Sequence, residues 1–541
     1  MIAAQIAISA IDAGVRAVEL DREGNELARR EVSDGETPRW IAERETGHPR
    51  WVWSDTARWY PPLLAAGVRV ERCLDLRLCR RILRNAASVT AEFPHDGWDG
   101  PAPSAAASDA LFDLEPPEPD DDPVAELLRQ RAAIAASPLA GRLGLLTAAE
   151  SVGSLVAAEM TFAGLPWRED RHDELLREIL GDPVPAGRPV RMEQKLAEVR
   201  AALDEPDLNP DSPVELVKGL QRAGLPATST RSWELKRIEH PAIPPLLEYK
   251  KLARLYTANG WNWLAEWVHG GRFRPVYVPG GVVTGRWASD GGGALQLPKQ
   301  IRGAVIADPG WTFVVADAAQ LEPRVLAAMS RDVAMARAGQ AHDLYQGMVD
   351  SGAVETRTQA KYGMLGAIYG GTTGESGRMR PRIERAFPDA MAFVESAARA
   401  GERGEVVSTW LGRSSPAGAA PAYDETSTDV ETGRRREQAR SWGRFTRNFV
   451  VQGTAAEWAL CWMGSVRRRL WELGEGDVTA RPHLVFFLHD ELIVHTPAQL
   501  APEVAVALRD AAAEAGRLLF GEAPVEFALS VSIVDSYADA E

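Results

Sequence analysis

Cysteine is nearly absent: Cys73, Cys79 and Cys461 are the only three in 541 residues. Three scattered thiols exclude a disulfide framework and match no zinc-ligand spacing. A reducing cytoplasm is the expected compartment. No uninterrupted apolar run is long enough to span a bilayer, so no membrane partner is expected. The opening MIAAQIAISAIDAG has no basic leader and no small-residue cleavage site, and it reads as a first β-strand. Internal repeats are also lacking. Net positive charge is lacking: 76 acids outnumber 61 Lys and Arg, for a net charge of −15. That total argues against a nucleic-acid ligand unless the signs are segregated. They are: Asp109 to Asp122 carries seven acids and no base, whereas Gly433 to Arg447 carries six arginines and one Glu. A phosphate-binding surface needs a local basic patch, not a basic total.

What is present fits an ordinary globular protein of two to four domains, with 45% hydrophobic and 25% charged residues. Residues 1 to 86 read as a small α/β unit, with strands at IAAQIAIS, AVELD and WVWSD and a helix at DLRLCRRILRNA. From Ala87 to Pro123 the composition shifts to Ala, Pro, Ser, Gly and Asp, which predicts a mobile linker. Helical patterns follow from Val124 to Val199 and from 212 to 268. Strands then appear in FRPVYVPGGVVTGRWAS and GWTFVVAD, and helices occupy Gln320 to Ala400. A strand pair, HLVFFLHDELIVHT, a helix and a strand, VEFALSVSIV, close the chain.

The chemistry concentrates in three places. In ETRTQAKYGMLGAIYGG, Arg357, Lys361, Leu365 and Tyr369 recur every four residues, which on a helix lines them along one stripe roughly 18 Å long. Two cations followed by an apolar and an aromatic group suit a triphosphate and a nucleobase, although such a stripe is more often a solvated face. Asp317 ends the buried strand TFVVAD. Asp490 and Glu491 sit at the tip of a hairpin between FF and IVH. Carboxylates from two strand ends can share a pair of Mg²⁺ ions and are costly together without one.

VVADAAQLEPRVLAAMSRD resembles the first palm motif of family A DNA polymerases, the DNA polymerase I group. RTQAKYGMLGAIYG is similar to their fingers helix and LHDELIV to their second palm motif. VTGRWAS with ALQLPKQIRGA, RNFVVQGTAAEWAL, and LNPDSPVELVKGLQRAGLP with LLEYKKLARLY resemble their template-primer segment, their RN-x-x-x-QGTAA helix and their thumb. The resemblance covers residues 200 to 541. It implies an α+β multidomain, right-hand polymerase: an antiparallel palm sheet, helical fingers and thumb, and an N-terminal α/β ribonuclease H-like exonuclease-type domain. The implied bounds are 1–190 for that domain with its linker, 191–270 for the thumb, 271–330 and 441–541 for the palm, and 331–440 for the fingers.

By the same resemblance, Asp317 and Asp490 hold two Mg²⁺ ions (Mn²⁺ as the alternative), with Ala318 as a backbone ligand. Glu491 supports the primer end or the metal site. Arg357 and Lys361 take the phosphates of a deoxynucleoside triphosphate, and Lys361 donates a proton to pyrophosphate. Leu365, Tyr369, Gln320 and Tyr345 border the nucleotide, and Glu322 is the ribose gate. Arg286, Gln296, Arg444, Asn448, Gln452 and His489 hold primer-template DNA. The expected protein is a monomeric DNA-directed DNA polymerase of the bacterial nucleoid, in repair or gap filling. A non-catalytic primer-template binder and a single-subunit RNA polymerase relative are the alternatives.

The sequence departs from the family pattern at Ala318, Pro323, Met364, Leu365 and Tyr345. Leu365 and its neighbours imply altered sugar selection. The N-terminal unit offers only Asp12, Glu19 and Asp21 where an exonuclease needs an Asp-x-Glu, and Ser54 stands near the usual Asn, so an inactive exonuclease fold is expected. A flap-nuclease domain is not expected in a chain of this length. Ser108 to Phe112 faintly resembles the sliding-clamp peptide through Leu111-Phe112, although packing of these two residues on the chain's own body is the commoner outcome.

Overall fold

The computed structural model describes residues 3–99, 122–340, 343–371, 374–418 and 429–540. The chain divides into two compact units: residues 1–164, 275–291 and 310–534 form the first, and 165–274, 292–309 and 535–541 the second.

The first unit opens with β1 (Gln5–Ile11), β2 (Gly14–Leu20), β3 (Glu26–Ser33), α1 (Thr37–Glu45), β4 (Arg50–Trp53), α2 (Thr56–Ala65), β5 (Cys73–Asp75) and α3 (Leu76–Asn85). The sheet order is β3-β2-β1-β4-β5, antiparallel through β1 and parallel from β1 to β5. Parallel strands are buried on both faces and read as apolar runs. Accordingly Trp51, Val52 and Trp53 are fully buried. The expected mobile linker does not begin at Ala87. Phe93 and Trp98 are buried, and Asp96 and Asp99 pair with the buried Arg80. Docking onto α3 therefore orders the chain through Asp99. The Leu111-Phe112 motif and nearly all of the acidic run lie outside the described residues.

Next come α4 (Pro123–Ala136) and α5 (Ala140–Ala163). By length and composition α5 could cross a membrane, but 72% of its most apolar window is buried in this unit, which makes it a core helix.

The second unit takes up the chain with β6 (Leu165–Pro166), α6 (Glu169–Leu180), α7 (Val190–Leu203), α8 (Pro213–Arg222), α9 (Ser232–Leu235), α10 (Ile243–Asn259), α11 (Trp261–Trp267), β7 (Val268–His269) and β8 (Arg272–Phe273). Leu196, Leu203, Leu216, Leu220 and Leu246 are buried in it, at the spacing the helical pattern requires.

Past Phe273 of β8, the glycine-rich stretch expected to form strands yields only β9 (Tyr277–Val278) and β10 (Ala288–Ser289). Its Gly and Pro residues interrupt any longer ladder. Then follow β11 (Trp311–Ala318), α12 (Leu321–Ser330), α13 (Val333–Ala338), α14 (Leu344–Asp350), α15 (Arg357–Tyr369), α16 (Gly374–Ala386), α17 (Pro388–Glu402) and the long α18 (Asp429–Glu472). The chain ends with β12 (His483–Leu488), β13 (Glu491–Pro497), α19 (Ala501–Phe520) and β14 (Leu529–Val534). These late strands form a four-stranded sheet of order β12-β13-β11-β14, antiparallel throughout. Every residue of β12 is buried.

Candidate active site

The central pair of that sheet, β11 and β13, sets Asp317 directly opposite Glu491. The β12–β13 hairpin turns through His489 and Asp490. His489 takes a left-handed φ of 60°, a conformation His tolerates better than most side chains. The turn returns the Asp490 carbonyl to accept from the Ala318 N–H at 3.0 Å. Asp317 and Asp490 thus occupy adjacent ends of neighbouring strands. Burial raises the pKa of Asp317. Asp490 is pushed up to about 7, first by burial and then by the charges of Asp317, Glu322 and Glu491.

Such a pair fits a divalent cation, because a metal charge relieves both the desolvation and the mutual repulsion. The donors at this strand end are the two carboxylates. Among the described residues no group of three or more His, Cys, Asp or Glu side chains is gathered for a metal ion.

Glu322 stands in the first turn of α12. Its carboxylate accepts from the Tyr369 hydroxyl at 2.6 Å and pairs with Arg286. Burial and then Glu322 push the Tyr369 hydroxyl up to about 12, with Gln452 pulling the other way. Burial and Arg286 hold His489 below the usual imidazole range. Gln320 enters α12 with a left-handed φ of 51°, and its side-chain oxygen accepts from the Leu344 N–H at 3.1 Å.

Thr356 caps α15 by accepting from the Gln359 N–H at 3.2 Å, and Gly370 ends the helix in the left-handed region. Ala360, Gly363, Met364, Ala367 and Ile368 form the buried face. Arg357 and Lys361 are exposed, and Leu365 and Tyr369 half-buried. Arg357 Nε lies 2.5 Å from Asp343 Oδ2, and its guanidinium sits 5.8 Å from the Tyr345 ring. Burial, then Glu322, pushes the Tyr345 hydroxyl up to about 12.

Along α18, Arg444, Asn448 and Gln452 recur every four residues and are more open than most of the chain around them. Arg444 packs against Gly370, where an added Cβ would lie 3.2 Å from Arg444 Cγ. Gln296 lies in the second unit, exposed on the turn Ala294–Gln296.

Sequence reasoning missed three residues. Asp343 caps α14, accepting from the Tyr345 N–H at 2.9 Å, besides holding Arg357. An Asp directly before an apolar helix was the available signal. Arg324 is buried and donates to the carbonyls of Ala319, Gly339 and Glu526 at 2.8, 2.6 and 2.6 Å. Arg447 donates to the Ala367 carbonyl at 2.7 Å and pairs with Glu395 at 2.6 Å, which ties α15 to α18. Nothing in the spacing of these two arginines distinguishes them from surface cations.

The acids expected near an exonuclease centre are not gathered. Asp12 is exposed in the β1–β2 turn, Glu19 pairs with Arg44 at 3.0 Å, and Asp21 accepts from Asn25. Buried Asp55 stands just past β4 and buried Asp75 is the last residue of β5 instead, and both are capping residues. Asp55 accepts from the Ala57 N–H at 2.8 Å, and Asp75 from the N–H groups of Thr56 and Leu78 at 2.8 and 3.0 Å. Burial raises both pKa values, and for Asp75 the neighbouring Asp55 adds to it.

An antiparallel sheet with two desolvated aspartates at one strand end thus shares a unit with a helix bearing spaced cations. The sequence profile of DNA polymerase family A matches residues 190–539. The chain belongs to that family. It is 27% identical over 352 residues to "DNA polymerase I, thermostable" of Thermus filiformis, covering 60% of this chain and 39% of the relative. It is 30% identical over 321 residues to DNA polymerase I of Chloroflexus aurantiacus, covering 54% and 32%. The chain thus spans about a third to two fifths of these curated relatives. Its fold matches the polymerase domain of Pol1 from M. smegmatis, solved with DNA primer-template and dNTP, at a TM-score of 0.69 and 20% identity, over 99% of this chain and 95% of that one.

Proposed function

We propose that the protein is a DNA-directed DNA polymerase that extends a primer 3′ end with deoxynucleotides, in gap filling or repair. The observation that carries this is the convergence of Asp317 and Asp490 across β11 and the β12–β13 hairpin. The sheet of β11 to β14 and the helix α12 belong to the palm, α13 to α17 to the fingers and α7 to α11 to the thumb. Asp317, Asp490 and the Ala318 carbonyl would hold Mg²⁺, which when bound would supply activation of the primer hydroxyl and charge neutralisation at the phosphates.

The chain's own side chains do the rest. Arg357 and Lys361 on the open face of α15 hold the triphosphate, and Lys361 gives a proton to the departing pyrophosphate. Positioning and preorganised charge dominate such a reaction. Glu322, fixed by Arg286 and Tyr369, closes the space where a ribose 2′-hydroxyl would lie. Leu365 stacks less well than an aromatic residue, so sugar selection differs from relatives with Phe there.

The N-terminal sheet is an exonuclease-type fold without nuclease activity. Use of Asp55 and Asp75 as buried caps supports this.

Primer extension tests the reading: wild type extends a recessed 3′ end with four dNTPs, and Asp490→Asn or Lys361→Ala loses extension by at least a hundredfold. A wild type that only binds the duplex, or that prefers ribonucleotides, sinks it. Shortening of a labelled primer with Mg²⁺ and no nucleotides would refute the exonuclease assignment.

A further inference from the structure

The N-terminal sheet has two edges. Asp55 and Asp75 lie at the carboxyl ends of β4 and β5, just past the one and closing the other. The other edge carries the starts of β1, β4 and β5 and the end of β2, about 13 Å of strand away. There the register pairs Gln5 with Arg50, Arg72 directly precedes β5, and Arg22 follows β2. Arg131 reaches the same place from α4. Together with His48 these residues line a cavity of about 380 Å³.

Among the described residues, four arginines and one histidine line this cavity and no acidic side chain does. No Trp, Tyr or Phe offers a stacking surface for a base. Gln5 is 7% exposed and its Oε1 has no hydrogen-bond partner, nor does Arg131 Nη1. The charges around the rim are largely engaged. His48 Nδ1 lies 2.5 Å from Glu71, Arg72 donates to the His48 carbonyl, and Asp21 accepts from Asn25 and the Gly24 N–H. Arg131 still feels Asp21 and Glu23. Burial, and then the like charge of Arg72, lower the pKa of Arg50.

A folded protein rarely keeps three guanidinium groups facing one half-buried cavity without an anion to share. We propose that this cavity is a phosphate-binding site, in which Arg50, Arg72 and Arg131 take a phosphate group through paired N–H donors. Guanidinium forks match phosphate oxygens two at a time, and the lack of an aromatic wall favours the phosphate itself over a nucleobase. Gln5 accepts from a hydrogenphosphate O–H as it stands, and offers its NH₂ to an oxyanion after a half-turn of the amide. The phosphate belongs either to a nucleic-acid strand or to a small free polyphosphate. The assignment is independent of the polymerase reading.

The test uses the full chain in EDTA, with Arg357→Ala and Lys361→Ala silencing α15. Sodium tripolyphosphate is titrated calorimetrically, and a DNA duplex with a long or a short single-stranded overhang is titrated by anisotropy. Adding Arg50→Gln with Arg131→Gln should weaken one ligand at least tenfold. Loss for tripolyphosphate alone assigns a free polyphosphate. Loss for the long overhang, with its salt slope reduced by about 0.7 for the one phosphate released, assigns a strand. Millimolar tripolyphosphate should also raise the thermal midpoint of the α15-silenced protein if the free anion is the ligand. Unchanged affinity for both ligands in a folded variant overturns the proposal. Should the double variant fail to fold, no midpoint rise with either ligand in its parent overturns it equally.

Discussion

Asp343 and Arg357 form an ion pair that, on the proposed function, a nucleotide has to displace. Their side chains are 30% and 54% exposed, and exposed pairs of this kind are worth roughly 0.2 to 1 kcal/mol. Asp343→Asn keeps the cap on α14, since Asn caps as well as Asp, but removes the charge that competes for Arg357. The expected outcome is a KM for dNTP lowered by up to about fivefold with kcat unchanged, read in steady-state primer extension. Asp343→Ala should instead cost about 1 kcal/mol of stability through the lost cap. A raised KM in Asp343→Asn would mean that the pair orients Arg357 for the phosphates instead of withholding it. The α15 stripe was legible because four-residue spacing is a local property, and the closed face of the helix follows from the same period. Asp343 was not tied to Arg357 in the sequence, because only the fold brings residues 14 positions apart to 2.5 Å. The Glu322 cluster was hidden for the same reason: Arg286 and Tyr369 reach it from separate segments.

Helix α15 is held against α16 by glycines. A Cβ at Gly366 would lie 2.3 Å from Ser376 Cβ, so Gly366→Ala must push α16 away. The expected cost is about 1 to 3 kcal/mol, the range for overpacking, together with weaker nucleotide binding. Thermal melts and KM measurements on one preparation check both. Strands β11, β12 and β13 were legible from their apolar runs, and α15 from its period. The edge strand β3 was not: ELARREVS is polar, pairs only with β2 and buries one residue of eight. Helix α2 was not either, since it carries Pro61 and Pro62 internally, which local rules read as a break. In α18 the buried Glu457 accepts from Thr409 and from the Leu411 N–H at 2.9 Å, fastening the segment before α18. Burial pushes its pKa up to about 7. Because the folded pKa exceeds the unfolded one, the folded state binds the proton more tightly. Its contribution is fully present below about pH 4.5 and is lost as pH rises through about 7, on the order of 3 kcal/mol. Glu457→Gln should therefore flatten the decline in unfolding midpoint between pH 5 and pH 8. An equal decline in variant and wild type would place the titration elsewhere.

Across the first unit, one buried charge cluster joins the N-terminal sheet region to the long helix α18. Arg467 of α18 is paired with Glu159 of α5 at 2.6 Å and donates to the Glu71 carbonyl at 2.7 Å. Tyr60 of α2 donates to Glu159 at 2.6 Å, and Arg69 stands 3.7 Å from it. Burial opposes the charge on Glu159, yet Arg467 and Arg69 together hold its pKa below the usual carboxylate range. Residues that start out 308 positions apart in the chain are thus bound to one carboxylate. Removing that carboxylate leaves two buried guanidinium groups uncompensated, which costs far more than the intact cluster contributes. Glu159→Gln keeps the volume and one acceptor but not the charge, and the expected loss is about 3 to 5 kcal/mol. The pH dependence runs opposite to that of Glu457. A depressed carboxylate contributes stability above its unfolded pKa and loses it as pH falls through the folded value. Wild type and Glu159→Gln should therefore differ widely in denaturant midpoint at pH 7 and converge on acidification. Because the cluster binds the N-terminal region to the helix that carries Arg444, Asn448 and Gln452, the variant should also lose primer extension at temperatures where wild type still works. A variant that matches wild type in midpoint at pH 7 would show the cluster to be replaceable by an amide, and the N-terminal sheet to be attached to α18 by packing alone.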